Sequence, residues 1–227
     1  MLKNNVVAIV TSIDSKKGRG KKIQHTDVKK VGLELNIPVL QPENLKAPSF
    51  VDHLRTLAPT IQVVVAFRML RKVVWQIPKL GTLNLHASLL PNYRGAAPIN
   101  WAIINGDKET GCTTFFLKHE IDTGDIIEQY KEPILPNDTF EDLYNRMKFE
   151  GAKLILNTVN KIVAEDYTTY PQVFTETLKT APKIFKETGL IDWSKKVDEV
   201  NNLIRGLCPF PSAWTKFNGK VLKIYKA

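Results

Sequence analysis

Asn84-Leu85-His86-Ala87-Ser88-Leu89-Leu90-Pro91-Asn92-Tyr93-Arg94-Gly95-Ala96-Ala97-Pro98 is the stretch on which the reading of this chain turns. Thr82–His86 has strand length and an apolar-alternating pattern, and a period of two puts Asn84 and His86 on one face. A loop rich in breakers follows, with Pro91, Gly95 and Pro98, and a helix-like segment begins at Ile99. An amide beside an imidazole at the carboxyl end of a strand is suited to binding a carbonyl oxygen and moving a proton. Taken singly, Asn84 reads as a turn-forming amide and His86 as a satisfied core histidine. Their pairing within this block points to chemistry.

Outward from the block, short strands alternate with helices. Val6–Val10 reads as a buried strand, followed by a basic loop to about Gln24. Asp27 then caps a short helix with Val28, Val31 and Leu35 at helical spacing. Ile37–Leu40 is a second strand, and Ser49 caps a helix carrying Phe50, Leu54 and Leu57. Ile61–Ala66 is a continuous apolar run, as in a parallel sheet covered on both faces. Met69–Ile77 is expected to be helical and to stop near Pro78. This alternation argues for an α/β protein with a Rossmann-like, doubly wound, mostly parallel sheet and its site at the strands' carboxyl ends.

Downstream, Ile99–Ile104 reads as helix, and Cys112–Lys118 and Ile126–Gln129 as strands joined by the Glu120–Asp125 turn. Asp138 or Thr139 caps the longest helix, with Asp142 as a weak capping box. Its core stripe runs through Phe140, Leu143, Met147, Leu154, Ile155, Val159 and Ile162. Tyr167–Thr188 contains Pro171 and Pro182 without a clear period and reads as a linker. Asp198–Leu207 is expected as a short helix and Lys220–Tyr225 as a strand.

A chain of 227 residues with 43% hydrophobic content can bury a substantial core in one or two domains. It has neither a run of 18 apolar residues nor a secretory-type leader. Cys112 and Cys208 are far apart and outside any Cys-x-x-Cys or Cys/His cluster, which argues against a disulfide framework or a zinc site and for a reducing cytoplasm. His25, His53 and His119 lack metal-ligand spacing. There is no Gly-x-Ser-x-Gly, P-loop or complete Gly-x-Gly-x-x-Gly, so acyl-enzyme, NTPase and dinucleotide readings lack support. The net charge is +9. Lys16, Lys17, Arg19, Lys21, Lys22, Lys29 and Lys30 are opposed only by Asp27, a patch that attracts polyphosphate backbones. Charge alone serves a solubilising surface equally well. Gly18 and Gly20, flanking Arg19, let a loop carry its guanidinium toward a ligand.

The block from Asn84 to Pro98 closely resembles the signature of folate-dependent formyltransferases, in which Asn-x-His-x-Ser-Leu-Leu-Pro precedes Arg-Gly-x-x-Pro. Upstream, Gly18-Arg19-Gly20-Lys21-Lys22 resembles that family's basic loop, and Val63-Val64-Val65-Ala66-Phe67 also matches. Downstream come Ile121-Asp122-Thr123-Gly124-Asp125-Ile126 and then Ile191-Asp192-Trp193-Ser194. Arg205-Gly206-Leu207-Cys208-Pro209-Phe210-Pro211-Ser212-Ala213-Trp214 resembles, with Ile191–Ser194, the start of the family's C-terminal domain. The likeness covers nearly the whole chain in the right order. Family members usually open with a strand, a Gly-Thr-Pro-type loop and a helix, which are not visible before Val6. The sequence also stops at Ala227, soon after the first strand expected of a C-terminal barrel. The chain is therefore expected to be a fragment shortened at both ends. Residues 1–165 would form the catalytic domain without its first strand and helix, 166–188 the linker, and 189–227 the beginning of an OB-like, tRNA-binding barrel.

The resemblance implies transfer of a formyl group from 10-formyltetrahydrofolate to the α-amino group of methionine on initiator tRNA, by way of a tetrahedral oxyanion. Asn84 would supply an amide N–H, His86 would donate to the oxyanion or relay the proton, and Asp122 would hold the His86 tautomer and order a water. Asp125 is left as an Asx turn. Ser88, Leu89, Leu90 and Pro91 match the folate-contacting segment, and Phe67, Arg68, Met69 and Leu70 sit where relatives line the same pocket. Arg19, Lys21 and Lys22 would meet tRNA, while Arg94 either binds an anionic group or braces its loop. A monomeric cytoplasmic enzyme without metal or membrane contact is expected. Three alternatives stay open: formylation of a small amine such as an amino sugar or glycinamide nucleotide, a hydrolase releasing formate, and a non-catalytic nucleic-acid-binding fragment.

Overall fold

Strands of two to five residues and short helices make up the first of two units, Met1–Leu83 and Asn84–Ala227, in a computed structural model that describes residues 5–17, 22–175 and 177–227. In this first unit β1 (Ile9–Val10) pairs in parallel with β4 (Val39–Leu40), Ile9 opposite Val39 and Val10 opposite Leu40. Between them, the segment expected as a loop to Gln24 contains an antiparallel pair, β2 (Ser15–Lys17) and β3 (Lys22–Gln24). The helix α1 (Asp27–Glu34) is capped one residue earlier than expected. Thr26 Oγ1 accepts the Lys29 N–H at 3.2 Å, and Asp27 adds its negative charge to the first turn. Likewise α2 (Pro48–Thr56) starts without a side-chain cap on Ala47. Proline at its first position has no N–H to satisfy, so Ser49 is already inside the helix.

After β5 (Gln62–Val65), the expected helix Met69–Ile77 shrinks to one turn, α3 (Lys72–Trp75). The Arg68 guanidinium donates to the carbonyls of Pro42 and Glu43, at 2.9 and 3.2 Å, which ties residues 67–71 down as a loop. Val51, Leu54 and Val74 form the core of this unit, with Val10, Leu40 and Leu70 packed against them. The division between the units falls inside β6 (Thr82–His86), the strand read from the opening block.

The second unit continues with β7 (Arg94–Gly95), α4 (Pro98–Ile104), β8 (Glu109–Phe116) and β9 (Ile126–Pro133). β8 and β9 form an antiparallel ladder from Glu109–Pro133 to Phe115–Ile126, with an irregularity between Thr114 and Phe115. The long helix α5 (Phe140–Val163) has a complete capping box. The Thr139 hydroxyl takes the Asp142 N–H, and the Asp142 carboxylate takes the Thr139 N–H at 3.0 Å. Its inner stripe buries Leu143 and Met147 with Ile99, Ile103, Cys112 and Ile134, a core of the kind the 3.6-residue period demands.

The described residues of segment 166–188 carry little regular structure, yet their backbone makes specific hydrogen bonds. Tyr170 exchanges both backbone hydrogen bonds with Ile126, at 2.9 and 3.0 Å. Further on, β10 (Thr180–Ala181) pairs in parallel with β7, Thr180 opposite Arg94 and Ala181 opposite Gly95. Beyond it, α6 (Val197–Gly206) packs through Ile204 on Ile191 and Ala213. β11 (Ala213–Phe217) and β12 (Lys220–Ile224) form an antiparallel hairpin. Its turn residues Asn218 and Gly219 both have positive φ, 46° and 73°, as a tight two-residue hairpin requires. The α/β class expected from the alternation is present, with parallel pairs β1–β4 and β7–β10 as well as the antiparallel β8–β9 ladder. No helix among the described residues is long and apolar enough to cross a membrane.

Candidate active site

β6 has the alternation that places Asn84 and His86 on one side of the strand. His86 is 7% exposed, and its Nε2 lies 2.8 Å from the Tyr93 carbonyl oxygen. A carbonyl only accepts, so Nε2 carries a proton and donates. The other ring nitrogen, Nδ1, faces Asp122, whose Oδ2 is 3.7 Å away. That distance is too long for a direct hydrogen bond. Asn84 is half-buried, and its side chain has no hydrogen-bond partner among the described residues. Its amide is free to donate to a group from outside.

Asp122 is 8% exposed and has φ 55°, a left-handed conformation that aspartate tolerates better than most residues. Its Oδ2 accepts the Gly95 N–H at 3.2 Å. Gly95 has φ +123°, and a Cβ there would lie 2.4 Å from the Ala181 carbonyl oxygen. Only glycine satisfies both the dihedral and the close approach. The carbonyls of Asp122 and Gly124 accept from the Gln172 side-chain amide at 2.9 and 2.8 Å. Gln172 Oε1 in turn accepts from Arg94 Nη2 and Nε, at 2.5 and 3.2 Å. The Arg94 guanidinium also stacks 4.0 Å from the Phe174 ring centroid. Burial lowers the Arg94 pKa from its ordinary value, against the opposing pull of the Asp122 and Glu120 charges. Of its two sequence readings, this geometry is the one that braces a loop.

Residues 88–91 are pinned from within. Ser88 Oγ donates to the Asn92 carbonyl at 2.6 Å, Thr113 Oγ1 donates to the Ser88 carbonyl at 2.6 Å, and the Leu90 N–H donates to Thr113 Oγ1 at 3.1 Å. Leu90 is buried with Phe115 and Ile126, and Leu89 and Pro91 are half-buried. In the first unit, Phe67 and Leu70 are half-buried, and Met69 is exposed. The Arg68 guanidinium lies 5.4 Å from the Phe67 ring centroid while it holds the carbonyls of Pro42 and Glu43. Arg19 and Lys21 lie outside the described residues. Lys22 belongs to β3, and its side chain is outside them too. Asp125 pairs with Lys118 at 2.7 Å. His25 pairs with Asp14 at 3.1 Å, and hydrogen bonds from Lys29 and Gln41 hold the Asp14 carboxyl well below the usual carboxylate range.

The structure therefore brings His86 and Asp122 together and leaves Asn84 with a free amide on the same strand. Three participants escaped the sequence reading: the Tyr93 carbonyl, the Gly95 N–H and Gln172. Gly95 alone had a signal, as a glycine in the breaker-rich loop. Among the described residues, no group of three or more His, Cys, Asp or Glu is placed to hold a metal ion. A free amide donor, an imidazole with a fixed tautomer and a carboxylate behind it can stabilise an oxyanion and carry a proton.

Comparison with known proteins bears on this arrangement. A family model described as formyl transferase matches residues 1–159, and one described as formyl transferase, C-terminal domain, matches residues 183–227. Methionyl-tRNA formyltransferase of Bacteroides thetaiotaomicron is 51% identical over 98% of this chain and 72% of its own length. The protein of that name from Flavobacterium johnsoniae is 48% identical over 100% of this chain and 74% of its own. Among solved structures, a sugar N-formyltransferase from a Shewanella species superposes with a TM-score of 0.70 at 22% identity, covering 88% of this chain and 80% of that one. HypX from Aquifex aeolicus in complex with tetrahydrofolic acid gives 0.66 at 20% identity, covering 86% and 34%. These two likenesses are of fold.

Proposed function

The chain belongs to the formyl transferase family, and on that premise we propose that it moves a formyl group from 10-formyltetrahydrofolate to the α-amino group of methionine esterified to initiator tRNA. The amine attacks the formyl carbon, the carbonyl electron pair moves onto oxygen, and collapse breaks the bond from that carbon to the folate nitrogen. The Asn84 amide donates to the developing oxyanion. His86 Nδ1 accepts the proton that the amine must lose and delivers it to the folate nitrogen as that bond breaks, while Asp122 stabilises the imidazolium formed in between. The observation that carries this reading is the 3.7 Å approach of Asp122 Oδ2 to the one His86 nitrogen not engaged by Tyr93. The choice of acceptor is supported by two relatives at 51% and 48% identity.

In this reading residues 88–91 contact the folate, and Arg19, Lys21 and Lys22 meet the tRNA backbone. The catalytic domain is 1–165, the linker 166–188 and the start of the tRNA-binding domain 189–227, an assignment supported by the matched segments 1–159 and 183–227. The enzyme works as a monomer in the cytoplasm, where charged tRNA is made. The test is product formation from 10-formyltetrahydrofolate with charged initiator tRNA, an amino-sugar nucleotide and glycinamide ribonucleotide as acceptors. Transfer to the tRNA alone is expected. Transfer only to a small amine rejects the acceptor, and release of formate without transfer rejects the reaction. Asn84→Ala should lower kcat by about 10²- to 10³-fold with tRNA affinity unchanged.

A further inference from the structure

Residues 167–174, read from sequence as part of a linker, run as a strap beside the turn that carries Asp122. Tyr167 meets Phe116 edge-on at 5.9 Å, Tyr170 pairs with Ile126, and Phe174 lies under Arg94. Gln172, 6% exposed, sits in the middle with its amide fully engaged. Its two N–H groups go to the carbonyls of Asp122 and Gly124, on either side of Thr123. Its oxygen goes to Arg94, whose chain neighbour Gly95 donates to the Asp122 carboxylate. The contacts close a ring: Asp122 carbonyl, Gln172, Arg94, Gly95, Asp122 carboxylate. A left-handed non-glycine residue persists only where its surroundings hold it, and here both ends of Asp122 are held.

We propose that Gln172 is the positioning residue for the Asp122 carboxylate, setting its distance from His86 by tying the Asp122 turn to the Arg94–Gly95 loop. The proposal rests on the reading of His86 and Asp122 as the catalytic pair. An apolar residue of similar length would fill the space without making the ring, so Gln172→Met isolates the amide. It should lower kcat by about 10- to 100-fold, the usual effect of losing a residue that orients a catalytic group. KM for charged tRNA and for the formyl donor should stay within about twofold, because the strap touches neither in this reading. Gln172→Glu keeps the Arg94 interaction but removes both donors, and should not rescue.

The discriminating measurement is single-turnover formyl transfer in an Asp122→Asn background. If Gln172 acts through Asp122, adding Gln172→Met there costs less than about twofold. Full multiplication of the two effects, or a Gln172→Met enzyme at the wild-type rate, overturns the Gln172 assignment and leaves the catalytic pair standing. A silent Asp122→Asn removes the catalytic pair and the proposal with it. Crystals of Gln172→Met give a readout independent of turnover. The Asp122 Oδ2 to His86 Nδ1 separation should open beyond 3.7 Å, and an unchanged separation counts against the assignment.

Discussion

Asp122 is held in place by groups that carry no catalytic chemistry of their own. Its carboxylate takes one backbone N–H from Gly95, and its carbonyl takes one side-chain N–H from Gln172. Gly95 is the most exacting of these positions. With φ +123° and the Ala181 oxygen 2.4 Å from where a Cβ would sit, Gly95→Ala must move β7 away from β10 or distort the loop. The expected cost is about 1–3 kcal/mol, seen as a thermal midpoint lower by several degrees, together with reduced kcat as the N–H leaves Asp122. A midpoint equal to the wild type's would contradict the close approach. At this scale the sequence marked Asn84 and His86 by residue type and spacing and Asp122 by resemblance, and the structure puts Asp122 3.7 Å from His86. The Tyr93 carbonyl was not legible in the sequence, since every residue has one and nothing in the residue type marks which carbonyl will meet an imidazole.

The elements behind the site are joined by a charged contact between β9 and α5. Glu128 of β9 accepts from Asn157 at 2.9 Å, Thr158 at 2.7 Å and the Lys161 ammonium, all on α5. Burial alone would raise the Glu128 pKa, but the hydrogen bonds from Lys161 and Thr158, with the Lys161 charge, bring it below the ordinary 4.5. A carboxylate with a depressed folded-state pKa stabilises fully above its unfolded value and loses that contribution as pH falls through the folded one. Glu128→Gln should therefore be less stable than wild type by about 1 kcal/mol at neutral pH. The gap, measured by urea unfolding, should narrow as pH drops below about 4.5. A gap that does not change with pH would show that the ionised form is not what binds α5. The α5 stripe and its capping box were visible as periodicity and spacing. The start of α1 lies one residue and that of α2 two residues before the expected caps, because Thr26 and Pro48 outcompete their neighbours for the first turn. The shortened α3 reflects Arg68, whose partners Pro42 and Glu43 lie 26 and 25 residues away.

Across the whole molecule the net charge of +9 predicts a salt-sensitive grip on tRNA. The logarithm of affinity for charged initiator tRNA should fall linearly with the logarithm of salt concentration. Replacing Arg19, Lys21 and Lys22 by alanine should flatten that slope by about 0.9 for each phosphate no longer neutralised. A slope unaltered by the triple substitution would assign the patch to solubility. The sequence by itself determined the alternation of strands and helices, the spacing of Asn84 and His86 on one strand face, the Asp122 turn and the basic patch. These depend on side-chain chemistry and local period, which are written along the chain. Only the tertiary structure decided that residues 167–174 run beside the Asp122 turn, that Gln172 reaches Asp122 from 50 residues away and Arg94 from 78, and which His86 nitrogen is left facing the carboxylate. Those choices rest on which distant backbone groups meet once the chain is packed, and backbone groups are alike at every position.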